Sequence, residues 1–343
     1  MDYAEIYKEL KDYSIDDYKE FVNNVEQSYA GLTSRPYAID NNNCPIINHD
    51  SLTLKDLHDR FAILCKNVRF DCLITPKPNQ AKSLFVIFSG SRDIDTDKLP
   101  VFKRWSYYRF IDSIVLNIAD PMFYKYENLN LGWYYGNQNE SYIEYLSEII
   151  KKIQSLFQIQ DNNLFFFGSS GGGYVALQLS MYFKNTIHIA INPQISISKY
   201  YYASKFTQKT GINLQIKDFF RRNETDQIII ERIKQNLNKF IIVQNVKDEH
   251  DCSIHLFPLL NKLDIGFLHF GINSFNSLYV WLYSCLGGHN AQGDQYIFSY
   301  ILYLANKISR NGEVTHLDDF IFKSISIFWK QKEYFIRLSK NEK

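Results

Sequence analysis

This 343-residue sequence has no strong net charge, no long apolar run and no paired set of cysteines. Lys and Arg total 38 against 37 Asp and Glu, leaving a formal net charge of +1. That balance excludes an overall field directed at nucleic acid or at an acidic membrane. The cysteines, Cys44, Cys65, Cys72, Cys252 and Cys285, are odd in number and show no C-x-x-C spacing. Their pattern argues against a disulfide framework or a zinc site and fits a reducing compartment. No segment approaches the roughly 18 apolar residues of a membrane span. The opening stretch MDYAEIYKELKDYSIDDYKE is charged throughout and lacks the apolar core of a secretory signal. Internal repeats and low-complexity linkers are also missing. The expectation is a soluble, cytoplasmic, globular protein with no transmembrane segment, no nucleic-acid partner and no metal.

What is present is an ordinary globular balance of 45% apolar and 22% charged residues. At about 150 residues per domain the length allows one large domain or two ordinary ones. Aromatic residues reach 16%, but they are spread along the chain and mark no single stacking surface. Residues 1 to 30 carry Ile6, Leu10, Tyr13, Ile15, Tyr18, Phe21 and Val25 at roughly helical spacing. From Arg60 the pattern turns to short apolar runs, RFAILCK, VRFDCLIT and SLFVIFSG. Pro76, Lys77, Pro78 and Asn79 separate the last two, as a strand–turn–strand would. Strand-like segments 111–119, 163–170, 186–193, 239–245 and 277–285 follow, among helical segments 141–157, 172–183 and 294–308. Near-continuous apolar strands between amphipathic helices predict an α/β fold whose mostly parallel sheet is covered on both faces.

The predicted organisation is an N-terminal helical extension (1–59), an α/β core (60–310) and a basic C-terminal tail (311–343). Lys323 to Lys343 hold six basic and two acidic residues, and a solvated amphipathic end accounts for them. Residues 197–238 lie between two core strands and carry Lys199, Lys205, Lys209, Lys217, Arg221 and Arg222, opposed before Glu224 only by Asp218. They read either as a helical cap over the sheet's C-terminal edge, where α/β folds bind ligands, or as a solvated excursion.

The most informative segment runs from Asn163 through Gly168-Ser169-Ser170-Gly171-Gly172-Gly173 to Leu177. It is an apolar strand, a G-x-S-x-G turn formed by Gly168, Ser170 and Gly172, and an apolar helix. A nucleophile on so sharp a turn needs small residues two before and two after, so that strand and helix pack closely. The turn exposes the Ser170 hydroxyl at the end of the sheet. It also sets the Gly171 N–H at a helix N-terminus, where a developing oxyanion is bound. A dinucleotide-type G-x-G-x-x-G is absent, and no lysine follows as in a P-loop.

A serine nucleophile needs a base and an orienting acid, here in the order Ser, Asp/Glu, His. Strand 239–245 runs into Val246-Lys247-Asp248-Glu249-His250-Asp251, and strand 277–285 into Leu286-Gly287-Gly288-His289-Asn290. These loops offer Asp248, with Asp251 and then Glu249 as alternatives, and His289. The spacings of 78 residues from Ser170 to Asp248 and 41 from there to His289 leave room for the intervening elements. His250 and His255 flank the acid loop but precede the loop where the base belongs. His49, His58, His188, His269 and His316 read as surface or core histidines. A second oxyanion donor is expected from Ser89-Gly90-Ser91-Arg92-Asp93, with the N–H of Ser91 or Arg92 turned inward. The Arg92 side chain is available for a substrate anion or for an ion pair with Asp93, Asp95 or Asp97.

Through Gly168-Ser169-Ser170-Gly171-Gly172, Asp248 and Gly288-His289, the stretch from about Arg60 to Ile308 resembles the α/β-hydrolase superfamily. Val243 to His250 and Gly287 to Asn290 are, more narrowly, similar to bacterial capsular-polysaccharide O-acetyltransferases and related glycan-modifying proteins. The resemblance implies a mainly parallel eight-stranded sheet, an acyl–serine intermediate and no metal. It implies no permanently bound cofactor, acetyl-coenzyme A as a candidate acyl donor, and a carbohydrate or small-molecule ester as partner. The oxyanion loop departs from the His-Gly-Gly-Gly of many lipases. The function expected is serine-dependent acyl transfer, foremost O-acetylation of a cell-surface or capsular polysaccharide. The alternatives are an esterase or deacetylase, and a catalytically silent accessory protein of this fold. Whether the chain forms a homo-oligomer stays open.

Overall fold

A computed structural model describes residues 44–57, 59–75, 82–111, 113–216, 218–285, 288–290 and 295–323. The helices expected within 1–30, the turn at Pro76–Asn79 and the tail beyond residue 323 lie outside the described residues. One sheet of ten strands forms the centre: β1 Ile46–Asn48, β2 Arg60–Cys65, β3 Val68–Thr75, β4 Leu84–Phe88, β5 Ile114–Ile118, β6 Leu164–Ser169, β7 Ile187–Ile191, β8 Lys239–Asn245, β9 Gly271–Phe275 and β10 Leu278–Tyr283. Their order is β1-β2-β3-β5-β4-β6-β7-β8-β10-β9. From β5 across to β10 neighbouring strands pair in parallel. The antiparallel pairs are β2 with β3, β3 with β5, and β9 with β10.

Side chains alternate between the two faces of the central strands, as a period of two requires. Leu84, Val86 and Phe88 enter one core, and Phe85 and Ile87 the opposite one. Helix α1 (Tyr142–Leu156) starts on Ser141, whose hydroxyl accepts from the Glu144 N–H at 3.3 Å. It buries Ile143, Leu146, Ile149, Ile150 and Ile153. Helix α2 (Gly171–Gln178) is buried at all eight positions, which is why it reads as apolar all round. Helices α3 (Ala203–Thr210) and α4 (Thr225–Lys234) lie between β7 and β8. Helix α5 (Gln295–Ser309) covers the second face through Phe298, Ile301, Leu304 and Ile308. Among the described residues no helix is long and apolar enough to cross a membrane.

Several expectations are corrected. The sheet has ten strands among the described residues, not eight. Residues 44–57 do not continue a helical extension; they form edge strand β1, paired in parallel with β2, and two 3-10 turns. Strands β3 and β4 do stand on either side of Pro76–Asn79, as expected, while a further hairpin turn at Lys66-Asn67, both at positive φ, joins β2 to β3. Strand β4 pairs with β5 and β6 and not with β3. The core does not stop at residue 310: Phe322 is fully buried and packs on Trp281 at 5.8 Å.

The segment 197–238 divides in two. Helix α4 is a crossover helix lying on the sheet through Ile229, whereas α3 packs Phe206 against Trp133 and Tyr135 at the sheet's C-terminal edge. Its expected cationic face is also reduced. Arg222 is 2% exposed, ion-paired with Asp218 at 2.7 Å and bonded to the carbonyls of Tyr135, Asn137 and Glu140. Arg221 pairs with Glu224 and Glu231. Lys209 donates to the Asn128 carbonyl, and Lys217 lies outside the described residues.

Candidate active site

The turn from β6 into α2 is as tight as its glycines suggest. A Cβ on Gly168 would lie 2.1 Å from the Gly172 carbonyl, and one on Gly172 would lie 2.4 Å from the Phe88 carbonyl oxygen. Ser170 sits at φ 54°, ψ −122°, a conformation costing on the order of 1–3 kcal/mol for a residue with a side chain. Its surroundings hold it there. The Ser170 N–H donates to the Ile191 carbonyl at 3.0 Å, and its carbonyl accepts from the Tyr174 N–H at 3.1 Å.

The hydroxyl so presented, in a residue only 6% exposed, lies 2.8 Å from His289 Nε2. His289 Nδ1 donates to Asp248 Oδ2 at 2.8 Å. Asp251 Oδ2 is equally close to Nδ1, but as an ion pair without hydrogen-bond geometry. The structure therefore brings Ser170, His289 and Asp248 together, and it adds the weighed alternative Asp251 to the same imidazole. Burial alone would lower the His289 pKa; its contacts with Asp248 and Asp251 outweigh that and hold it up at about 9. For Asp251 burial raises the carboxyl and the facing imidazoles outweigh it, so its pKa falls below the usual range.

Behind the carboxylates, His250 Nδ1 lies 3.1 Å from Asp251 Oδ1 and His255 Nε2 lies 3.8 Å from it. The Ser196 N–H donates to His255 Nδ1 at 3.3 Å, which places the proton of this ring on Nε2. Burial pushes His255 down to about 4 despite Asp251, so it stays neutral. These groups bring carboxylate and imidazole atoms within 4.8 Å of one another, as a metal would need. The protonated Nε2 of His255, however, offers no lone pair. His188, one of the histidines read as surface or core, lies in the core: its Nδ1–H donates to the Ala176 carbonyl at 2.6 Å, and burial lowers it to about 3.

Two buried asparagines fix the loops. Asn245, the last residue of β8, donates to the carbonyls of Cys285 and Gly288 at 2.8 and 2.9 Å. Its Oδ1 accepts from the N–H groups of Cys285 and Lys247. It thus ties the acid-bearing loop to the loop of His289. Asn192 accepts from the Asn245 N–H at 2.8 Å and holds the strand end. Sequence reasoning passed over both, because an Asn at a strand end reads first as a turn residue.

On the oxyanion side, Gly171 opens α2, where a first-turn N–H has no acceptor within the helix. The loop after β4 lies against it: a Cβ on Gly90 would be 3.0 Å from the Ser169 carbonyl oxygen and 3.6 Å from Gly171 N. Ser91 is exposed, and its N–H donates no hydrogen bond among the described residues. Arg92 is excluded as a donor, because its N–H is already bonded to the Asn130 carbonyl at 2.8 Å. Nor does its side chain form an ion pair with Asp93, Asp95 or Asp97 among the described residues. It is buried over the Phe123 ring and donates to the carbonyls of Leu129 and Glu127.

One further side chain reaches the reacting oxygen, that of Gln194, whose Nε2 lies 2.9 Å from Ser170 Oγ. It sits just beyond β7, where nothing in the local sequence distinguishes it from an ordinary loop glutamine.

No family model matches the chain, and no curated protein matches it in sequence. Solved structures do. A capsule O-acetyltransferase of Neisseria meningitidis serogroup A is 19% identical, with 71% of this chain and 91% of that one covered and a TM-score of 0.47. An S-formylglutathione hydrolase from Agrobacterium tumefaciens is 13% identical, covering 74% and 94%, with a TM-score of 0.48. An acylaminoacyl peptidase of Pyrococcus horikoshii is 12% identical at a TM-score of 0.51; 77% of this chain is covered, and it spans 43% of that protein's length. At these identities the likeness is one of fold. The likeness to the Pyrococcus horikoshii structure, taken with the strand order and the turn at Ser170, gives the chain the α/β-hydrolase fold.

Proposed function

We propose that this protein is a serine-dependent acyl-transfer enzyme with Ser170 as nucleophile, His289 as general base and Asp248 as orienting acid. The observation that carries the proposal is the 2.8 Å contact between Ser170 Oγ and His289 Nε2, formed by residues 119 apart in sequence. Ser170 Oγ attacks the carbonyl carbon of an ester or thioester, forming a C–O bond while the carbonyl π pair moves onto oxygen. The hydroxyl proton passes to His289 Nε2, and Asp248 stabilises the imidazolium. The N–H groups of Gly171 and Ser91 receive the oxyanion, each donor worth about 3 kcal/mol of barrier. Collapse expels the alcohol or thiol, which takes the proton back from His289. The acyl–serine then transfers to an acceptor hydroxyl by the same steps in reverse.

For the acceptor we infer a hydroxyl of a cell-surface or capsular polysaccharide, and for the donor acetyl-coenzyme A. This finer reading rests on the resemblance of Val243–His250 and Gly287–Asn290. The burial of Ser170 supports it, since transfer requires that water be kept from the acyl–serine. The excursion 197–223 serves in this reading as the cap. With Arg221 and Arg222 engaged within the fold, its cations for donor or acceptor anions are, among the described residues, Lys199 and Lys205.

The test measures acetyl-coenzyme A consumption with and without candidate glycans, for the protein and for Ser170→Ala. Glycan-dependent consumption, lost by about 10⁴-fold or more in the variant, is the expected result. Turnover of short acyl esters indifferent to glycan assigns an esterase or deacetylase instead. Undiminished turnover in Ser170→Ala removes the mechanism.

A further inference from the structure

Gln194 is fully buried in the turn after β7, and no step above uses it. We propose that Gln194 is a further catalytic residue of this centre: its amide, aimed by Trp133, holds the Ser170 oxygen so that the hydroxyl proton is committed to His289. The proposal rests on Ser170 being the nucleophile.

The argument begins at Trp133, whose indole Nε1 lies 2.6 Å from the Gln194 side chain. An indole N–H only donates, so the amide atom facing it is the oxygen Oε1. The NH2 end then necessarily faces Ser170 Oγ, at 2.9 Å. A serine hydroxyl has one proton and two lone pairs. Once His289 is neutral and its Nε2 carries a lone pair, the hydroxyl, with one of its own lone pairs receiving the amide N–H, points its proton to that Nε2 at 2.8 Å. A freely rotating hydroxyl would instead divide its time among orientations, most of them unreactive.

Trp133 is fixed in turn. Trp133 and Tyr134 both have positive φ, at 54° and 50°, which branched or bulky residues adopt only when their surroundings impose it. The Tyr134 N–H donates to Asp120 Oδ2 at 3.0 Å, and its hydroxyl donates to the Ile118 carbonyl at 2.6 Å. Tyr200, Tyr202 and Phe206 meet the indole edge-on. A chain of contacts therefore runs from the end of β5 through Tyr134, Trp133 and Gln194 to the nucleophile. It reaches Ser170 from a different direction than the imidazole does.

The test is the second-order rate at which a fluorophosphonate labels Ser170. In that reaction a P–O bond forms at Oγ, fluoride leaves and the hydroxyl proton passes to His289. Gln194→Met keeps the volume and removes the donor; Trp133→Phe keeps Gln194 but frees its amide to flip. Gln194→Glu keeps the acceptor for Trp133 and turns the donor into an anion beside the imidazole. Labelling is expected to slow by about ten- to a hundredfold in Gln194→Met and by less in Trp133→Phe, with thermal melting retained. Gln194→Glu is expected to slow it as well, also above the alkaline midpoint, because a carboxylate accepts from the hydroxyl and draws its proton away from His289. Labelling of all three folded variants within twofold of the wild-type rate, each measured above its own midpoint, overturns the proposal for Gln194 alone. Wild-type protein that takes no label, like the Ser170→Ala blank, overturns the nucleophile assignment and the proposal with it.

Discussion

A histidine facing two carboxylates is a stronger base than one facing a single acid, and this difference is measurable. His289, held up at about 9 by Asp248 and Asp251 against the lowering effect of burial, is mostly protonated at neutral pH. As general base it must be neutral, so kcat/KM is expected to rise with pH through a midpoint near 9. Asp251→Asn, by removing one of the two charges, should bring that midpoint down toward the ordinary histidine value of about 6.5, as a pH–rate profile would report. A midpoint unmoved in that variant contradicts the two-carboxylate account. Arg92 makes a contrasting case, since its N–H and guanidinium are engaged with the 127–130 loop. Arg92→Met is expected to destabilise the fold by about 1–3 kcal/mol in urea titrations, through the carbonyls it leaves unbonded, while KM stays unchanged.

Between elements, the site depends on how closely strand ends approach. The Phe88 end of β4 lies where a Gly172 side chain would be, so Gly172→Ala is expected to cost about 1–3 kcal/mol or more. Denaturant midpoints would read that loss. Asn245 links the β8 loop to the β10 loop, with three hydrogen bonds to Cys285 and Gly288 and one from Lys247. Asn245→Leu is expected to lose at least about 2 kcal/mol of stability and to slow Ser170 labelling by about a hundredfold. Unaltered labelling in a destabilised Asn245→Leu would show that the link supports the fold but not the placement of His289.

These contacts also explain which parts of the site were legible in the sequence. Gly168, Ser170 and Gly172 act within one turn, and Asp248 and His289 lie just past apolar strands, so local pattern and chain order suffice to find them. Gln194, Asn245 and Asn192 act on partners brought near only by the sheet, and no short-range pattern marks them. The arginines of 197–223 follow the same rule, because their partners are set by the fold. Asp218 and Glu224 were in view, but Glu231 and the carbonyls of Tyr135, Asn137 and Glu140 are supplied by the fold.

For the whole molecule, strand and helix alternation made the α/β architecture readable from periodicity. Strand order and edge strands were not readable, because pairing is a long-range property. Strand β9 shows why: Gly271, Asn273 and Ser274 dilute its apolar alternation, and it is held as a strand by β10. The ten-stranded sheet sets the C-terminal ends of β6 and β8, with β7 between them, and the loop after β10 along one edge, and so a serine, an acid and an imidazole from distant segments meet there. The most direct measurement of the central claim is mass-spectrometric mapping of the fluorophosphonate adduct across pH. The account predicts a single adduct on Ser170, formed faster as pH rises toward 9 and absent in Ser170→Ala and in His289→Ala. A folded protein that takes no label at any pH, or that carries it on another residue, contradicts it.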